Sequence, residues 1–305
     1  MDNKKTVSSD LAKFVTILID SYKSIVIITF IGAALSIFLS LQIPNKYKSD
    51  AKIVASTEDN KGGLGAIAGQ FGGLANMAGI SLGGKSDVNL LMDTLKSRNF
   101  LKSFIEKEDI KVEIFAVEGW DMSSNELLFN PEIYDIDSKK WVRKPEGLRQ
   151  SEPSLEETYT KFSEMINVAR NKKTDLLTVS LTFYSPEISK LWLEKLLEHL
   201  SEYLREQDKL EAQKSLDYLS NNRKEIAISE LRVVFAELLR EQHQKLMLAN
   251  VKSIYGYEIR DSAYMPEEKA SPKRAIIVIV STFFAFVLSI AFVFIRKFIG
   301  IVKNA

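Results

Sequence analysis

The sequence predicts an α+β membrane protein in which two transmembrane helices, one near each end, enclose a large mixed domain. Two observations carry this prediction. Apolar residues are concentrated in two uncharged runs near the ends of the chain, and the middle has the composition of an ordinary globular domain. A third observation is a long stretch rich in Leu, Glu, Lys and Gln before the second run, which predicts an extended hairpin of long helices.

The overall composition excludes several classes of function. Of the 305 residues, 41 are Lys or Arg and 40 are Asp or Glu, so there is no basic excess for binding nucleic acid. The chain contains no cysteine, which rules out disulfides, thiolate nucleophiles and cysteine metal sites. The only two histidines, His199 and His243, lie in charged helical sequence, and we expect both to be solvated rather than ligands or bases.

The two apolar runs, residues 25–43 and 275–295, have the length of membrane spans. At a rise of about 1.5 Å per residue, about 20 helical residues cross a hydrocarbon core about 30 Å thick. A cleaved signal peptide is the rival interpretation of the first run. That run exceeds the usual apolar region of a signal peptide, and Pro44, Asn45 and Lys46 follow it instead of a small-residue cleavage site. We therefore predict an uncleaved anchor.

Charged residues beside the spans predict the orientation of the chain, because cytoplasmic flanks are enriched in Lys and Arg. The basic residues of the two tails are Lys4, Lys5, Lys13 and Lys23 before the first span and Arg296, Lys297 and Lys303 after the second. Lys273 and Arg274 oppose this orientation, but they follow a long loop, where charge counts for less. We expect the tails 1–24 and 296–305 to be cytoplasmic and residues 44–274 to lie outside the cytoplasm, which in a two-membrane bacterium is the periplasm.

Residues 44–185 are predicted to form a membrane-proximal α/β base domain. Alternating apolar residues predict strands at 47–55, 111–117 and 175–183, and helical spacing predicts helices at 86–106 and 155–166. Residues 118–153 are predicted to be irregular. The segment 61–84 is rich in glycine, which disfavours regular structure, yet it is apolar and carries no charge after Lys61.

Residues 186–250 are predicted to form a long helical arm, and residues 251–274 an extended return to the membrane. Ser185 and Pro186 have the residue types of a helix cap and a first helical position. One continuous helix of about 65 residues would be about 97 Å long, whereas the return segment of about 24 residues spans at most about 79–86 Å. We therefore expect a hairpin whose tip lies at Ser220, Asn221 and Asn222, which favour turns.

One motif, G-x-x-x-x-G-K-S at residues 79–86, matches the phosphate-binding P-loop. A working P-loop follows a buried strand, whereas the residues before this match contain several glycines, so we expect no nucleotide site at Lys85. No other catalytic, cofactor-binding or metal-binding pattern is present in the sequence. The residues alone therefore predict no catalytic site and no cofactor, although they leave a pair of glycosidase carboxylates open.

The arrangement of these segments resembles the Wzz family of polysaccharide co-polymerases, the O-antigen chain-length determinants. The Gly/Leu/Ala stretch 62–84, residues 97–101 (SRNFL) and the motif 263–274 (AYMP…SPKR) carry the resemblance. The single positions that carry it are Pro44, Tyr47, Arg98, Pro186, Pro266 and Pro272.

The resemblance implies an inner-membrane protein that forms ring or bell oligomers in the periplasm and sets the modal length of a polysaccharide without catalysing a reaction. Its implied partners are copies of itself, a membrane polysaccharide polymerase and the growing polysaccharide, besides the lipid bilayer. Two alternatives stay open at this point. An adaptor of a capsule or exopolysaccharide export system has the same architecture, and a periplasmic ligand sensor would need a cytoplasmic output domain.

Overall fold

The computed structural model describes residues 19–56, 87–221 and 229–303. The chain divides into two compact units, one formed by Met1–Asn45 with Lys269–Ala305 and the other by Lys46–Glu268. The glycine-rich segment 61–84, the P-loop match at 79–86 and Asn222 lie outside the described residues.

The described elements alternate between helices and short strands. In chain order they are α1 (Tyr22–Gln42), β1 (Lys46–Ala55), α2 (Asp87–Lys96), α3 (Arg98–Glu108), α4 (Lys111–Ala116), β2 (Val117–Asp121), β3 (Glu126–Phe129), β4 (Tyr134–Asp135), β5 (Lys140–Trp141), α5 (Leu155–Ser163), β6 (Ile166–Arg170), β7 (Leu177–Phe183), α6 (Pro186–Asn221), α7 (Ser229–Val251), β8 (Tyr257–Asp261), β9 (Lys269–Ser271) and α8 (Arg274–Lys303). The predicted α+β class with two terminal apolar helices is confirmed.

An antiparallel sheet organises the unit formed by Lys46–Glu268, with the strand order β6-β7-β1-β8. In the pairing of β1 with β7, Tyr47 lies opposite Phe183 and Ile53 lies opposite Leu177. The predicted strands at 47–55 and 175–183 are therefore confirmed as neighbours, with the second beginning at Leu177. Their inward side chains are apolar because one face of the sheet is covered by helices.

The core of this unit lies between the sheet and the helices α3 and α6. Burying large apolar side chains supplies most of the stability, at about 25 cal/mol per Å² of apolar surface. From the sheet the core takes Ala51, Ile53, Leu177, Val179, Leu181 and Phe183, and from the helices it takes Phe100, Phe104, Trp192, Leu193, Leu196, Leu197 and Leu200. The first third of α6 is therefore anchored on the sheet.

The helical arm is a hairpin and not one continuous helix. Helix α6 ends at Asn221 and α7 occupies Ser229–Val251. The helices are antiparallel, because Asp208 on α6 accepts a hydrogen bond at 3.4 Å from Lys245 on α7, and Arg205 donates to the carbonyl oxygens of residues 252 and 253 beyond the end of α7. The predicted tip residues Ser220 and Asn221 form the last turn of α6.

Three predicted regions differ from the structure. Residues 111–117 were predicted to be a strand, but Lys111–Ala116 forms helix α4. Ile110, Ile114 and Val117 are buried, and this spacing fits one helical face as well as the alternation fits a strand. The predicted helix 86–106 is divided at Ser97, whose side chain caps α3 by accepting from the backbone N–H of Phe100.

The third difference lies in residues 118–170. The region predicted to be irregular contains the small hairpins β2-β3 and β4-β5. The predicted helix 155–166 ends at Ser163, and Ile166–Arg170 forms β6 instead. Such a short strand has little periodicity of its own, and its pairing with β7 decides its conformation.

Candidate functional surfaces

The two terminal helices α1 and α8 pack against each other along a stripe of small side chains. The Ser36 and Ser281 hydroxyls lie 2.5 Å apart, and Thr29 lies 3.5 Å from Ser289. Between these pairs, a Cβ atom added to Gly32 would lie only 2.5 Å from the Cβ of Ala285. Small residues at every fourth position let helix backbones approach closely, as is common in membrane helix pairs.

The outward faces of this pair are large and apolar. Phe30 is 73% exposed and Phe283 is 63% exposed, whereas the apolar face of a core helix in a soluble protein would be buried. Tyr22–Gln42 and Arg274–Arg296 are long and apolar enough to cross a membrane. The exposed surface is therefore suited to lipid, and the chain has the features of an inner-membrane protein.

Arg274 joins the end of one span to the beginning of the other. Its guanidinium donates to the carbonyl oxygens of Ser40 and Ile43, both at 3.1 Å. These carbonyls belong to the last turn of α1, where a cation also interacts favourably with the helix dipole. The family-motif positions Pro44 and Pro272 lie beside this contact in the chain, and the backbone N–H of Arg274 donates to the Pro272 carbonyl oxygen at 2.9 Å.

Three other family-motif positions meet at β1. The Ser189 hydroxyl, in the first turn of α6 that Pro186 begins, donates to the Tyr47 carbonyl oxygen at 3.0 Å. Two residues along β1, the Ser49 hydroxyl donates to the carbonyl oxygen of Tyr264 at 2.7 Å. Tyr264 lies in the segment that ends at the buried Pro266. These positions therefore fix the start of the arm and the return segment on the same strand.

Arg98, the remaining family-motif position, lies apart from this junction at the first position of α3. It forms an ion pair with Glu156 on α5 at 3.4 Å, and its guanidinium lies 5.4 Å from the ring centre of Tyr159. Lys102 binds the other carboxylate oxygen of Glu156 at 2.6 Å, and both cations lower the pKa of that exposed carboxyl. This cluster holds α3 against α5.

His199 is buried, so the expectation that it is solvated was wrong, whereas His243 is exposed as expected. The His199 ring stacks on Phe100 at a centroid distance of 5.2 Å. The Ser103 hydroxyl donates to the Phe100 carbonyl oxygen, and therefore accepts from His199 Nε2 at 2.9 Å. The apolar residues Leu196 and Leu200 at helical spacing around His199 were the signal for this buried face. Burial lowers the pKa of His199.

A pocket of about 350 Å³ lies at the base of the helical hairpin, between α6 and the segment 253–263. Leu197, Ile254 and Ala263 line its apolar part, and Glu194, Glu198 and Glu202 line its acidic part. It is the feature that the sequence did not predict, because residues about 60 positions apart form its two walls. Its volume is near the lower end of the range for ligand sites, about 300–1,000 Å³.

The wall opposite α6 is held by specific hydrogen bonds. The Tyr257 hydroxyl donates to the Leu197 carbonyl oxygen at 2.6 Å, and burial raises the pKa of this phenol above its ordinary range. The backbone N–H of Tyr255 donates to Ser201 Oγ at 2.7 Å, and its hydroxyl donates to Asp208 at 2.8 Å. The pocket is therefore pre-formed.

Within the described ranges 19–56, 87–221 and 229–303, no cluster of three His, Asp or Glu side chains could hold a metal ion. The P-loop match and Lys85 lie outside those ranges, and the expectation that they bind no nucleotide remains a prediction.

Among solved structures, two similar chains are polysaccharide co-polymerases. A "full-length bacterial polysaccharide co-polymerase" is 14% identical with a TM-score of 0.38, over 93% of this chain and 96% of that one. A fragment of WzzB from Salmonella Typhimurium is also 14% identical with a TM-score of 0.28, over 74% of this chain and 100% of that one. Among proteins of curated function, none matches the chain.

Two family models match the sequence, and together they cover more than half of it. The model of the GNVR domain, described as a G-rich domain on a tyrosine kinase, matches residues 229–298, which include α7, the return segment and most of α8. The Wzz model, described as the chain length determinant protein, matches residues 8–108, which include the first span, β1, α2 and α3. With both matches at the ends where the resemblance placed them, the predicted resemblance to the Wzz family of chain-length determinants is confirmed.

Proposed function

We propose that this protein sets the modal chain length of an O-antigen-like surface polysaccharide as a non-enzymatic, oligomeric scaffold for a membrane polymerase. The observation that carries the proposal is the Wzz family match at residues 8–108. The paired terminal helices and the rigid hairpin support it, because they give each chain a membrane anchor and a long packing surface.

The proposed location is the bacterial inner membrane, with both termini in the cytoplasm and residues 44–274 in the periplasm. Basic residues in both terminal tails support this orientation. Reporter fusions at residues 10 and 300 are expected to be active in the cytoplasm, and a fusion at residue 150 in the periplasm. A periplasmic signal from either terminus would contradict the orientation.

A homo-oligomer is proposed because the arm exposes apolar side chains that a single chain leaves uncovered. Leu210 on α6 is 53% exposed, and Met247 on α7 is 57% exposed. Helices gain most of their stability by packing an apolar face, so copies of the arm would bury these residues against one another. Light scattering of the protein in detergent is expected to give an oligomer at micromolar concentration, and a monomer would contradict the scaffold.

A gel of surface polysaccharide from strains with and without the gene tests the function. Loss of the gene is expected to replace a narrow length distribution by a broad one, and its return on a plasmid is expected to restore the mode. Loss of all surface polymer, with polymer accumulating inside the cell, would instead indicate the export adaptor. An unchanged length distribution would contradict the proposed function.

A further inference from the structure

One leucine on the base domain is presented to solvent by a rigid turn. Leu148 is fully exposed, at 103% of its reference area. It occupies the second central position of a tight turn, Glu146–Arg149, here called the Leu148 turn. Glu146 and Arg149 exchange two backbone hydrogen bonds of 3.1 and 3.0 Å, and Gly147 has a φ of +60°, as in a type II′ turn.

The Leu148 turn is fixed to the rest of the domain on the side of α5. Arg143 donates to the Gln150 carbonyl oxygen at 2.6 Å and to Glu157 on α5 at 2.8 Å. Lys111 donates to Glu152 at 2.6 Å. Among the residues that the structure describes, none covers this large apolar side chain. Because the turn already holds it in place, inserting it into another molecule costs less entropy.

The segment that carries the turn is basic in composition, although its Arg143 is paired with Glu157, and the lining of the pocket at the base of the hairpin is acidic. Residues 139–149 contain five basic residues and one acidic residue. The pocket has three glutamates against one arginine, Arg205, beside its apolar wall. Arg205 donates to backbone carbonyls, Glu202 pairs with Lys107, and Glu194 pairs with Lys190 at 3.7 Å, so the carboxylate that stays available for a partner is that of the exposed Glu198.

The turn and the pocket are connected to strands at opposite ends of the same sheet order. The turn is joined to α5, which packs on β6, the strand at one end of the sheet order β6-β7-β1-β8. The pocket takes Tyr257 and Ile259 from β8, the strand at the other end of that order. Complementary features at two different places on the same chain generate a head-to-tail interface, which closes into a ring when the rotation between copies allows it.

We propose that Leu148 of one copy inserts into the apolar part of the hairpin-base pocket of the next copy, with Arg149 beside Glu198. This inference rests on the proposed oligomer and names the interface within it. Electrostatic complementarity sets the register of such a contact, and the buried leucine supplies its apolar core.

Cysteine cross-linking tests the contact directly, since the natural sequence has no cysteine. In the full chain in native membranes, Leu148→Cys combined with Ile254→Cys is expected to give a ladder of disulfide-linked species on mild oxidation. Each single variant alone is expected to give no ladder, and a mixture of the two single variants is expected to give only a mixed dimer. As a control, Leu148→Cys with Met122→Cys, at another exposed position, is expected to remain uncross-linked.

Charged substitutions at the proposed contact give a second measurement, in which a double variant is expected to restore association. Leu148→Glu is expected to shift the detergent-solubilised protein from oligomer to smaller species, whereas Ile136→Glu, at another exposed apolar residue, is expected to leave the oligomer intact. Arg149→Glu and Glu198→Arg are each expected to weaken association at least tenfold, and the double variant is expected to recover most of the loss.

Three results would overturn the proposal: absence of the mixed dimer, an intact oligomer in Leu148→Glu, or no recovery in the charge-reversed double variant. A fluorophore attached to the Leu148→Cys variant tests whether the turn lies in the bilayer instead. If brominated lipids quench this fluorophore and the cysteine pair gives no cross-link, the turn lies in the bilayer and the proposal is also overturned. Measuring the polysaccharide length in the same strains distinguishes failure of the proposed contact from failure of the proposed function. A wild-type modal length with no cross-link rejects only the contact, whereas cross-linking without any effect of the gene on length rejects only the function.

Discussion

Replacing Gly256 by alanine is expected to destabilise the base domain through two separate effects. Gly256 joins α7 to β8 with a φ of +84°, and an added Cβ would lie 2.7 Å from Leu204 Cδ1. Its carbonyl oxygen also accepts a hydrogen bond from the backbone N–H of Ser56 at 3.1 Å, so the backbone has little freedom to change φ. The substitution must therefore introduce backbone strain and displace a core side chain.

Gly147 provides a matched control for the backbone effect. It too has a positive φ, +60°, but an added Cβ would have nothing within 4 Å. A left-handed conformation costs a non-glycine residue roughly 1–2 kcal/mol, and overpacking costs roughly 1–3 kcal/mol more. We expect Gly147→Ala to lower the free energy of unfolding by about 1–2 kcal/mol and Gly256→Ala to lower it by about 2–5 kcal/mol.

Thermal unfolding of the full chain in detergent, followed by circular dichroism, measures both variants. At about 2–4 °C per kcal/mol for a domain of 150–250 residues, Gly256→Ala is expected to have a Tm roughly 2–12 °C below that of Gly147→Ala. Equal Tm values for the two variants would refute the packing argument at Leu204. A Gly147→Ala variant with the wild-type Tm would refute the strain argument.

Three further predictions concern the core, the membrane pair and the P-loop match. Burial and Lys107 lower the pKa of His199 in the folded protein below its ordinary 6.5. Below that pH, the unfolded chain therefore binds more protons than the folded protein does. Stability should therefore fall with decreasing pH below about 6.5, by at most about 1.4 kcal/mol per pH unit, and His199→Phe should remove this part of the dependence in urea titrations. The double variant Ser36→Cys, Ser281→Cys should oxidise to an intrachain disulfide. After protease cleavage in the arm, this disulfide should hold the N-terminal and C-terminal fragments together. Fragments that separate would contradict the pairing of the two terminal helices. Lys85→Ala should leave polymer length unchanged, and nucleotide binding that this substitution abolishes would contradict that expectation.

Much of the fold could be predicted from local patterns. The two spans could be predicted from uncharged apolar runs, because a helix surrounded by lipid must be apolar along its whole length. The observed helices Tyr22–Gln42 and Arg274–Arg296 agree with the predicted runs within a few residues. Strand β7 follows from strict alternation, since only one of its faces is buried deeply. The hairpin follows from chain length alone, because a continuous helix could not be followed by so short a return.

The candidate surfaces were predicted less well, because they depend on contacts between distant residues. The pocket joins α6 to the return segment, and the stripe on α1 becomes an interface only opposite Ser281, Ala285 and Ser289. His199 shows the same limit: it lies between Glu198 and Leu200 in the sequence, and only the packing of α6 on α3 encloses its ring.

The sequence by itself determined the two membrane spans, the class of the domain between them and the family, since each depends on composition, periodicity or motifs along the chain. Tertiary structure alone decided whether residues 111–116 are a helix, which histidine is buried, and where a pocket opens at the base of the helical hairpin. The physical reason is that short segments have nearly equal propensities for several conformations. Burial against partners far along the chain then supplies the free energy that selects one of them.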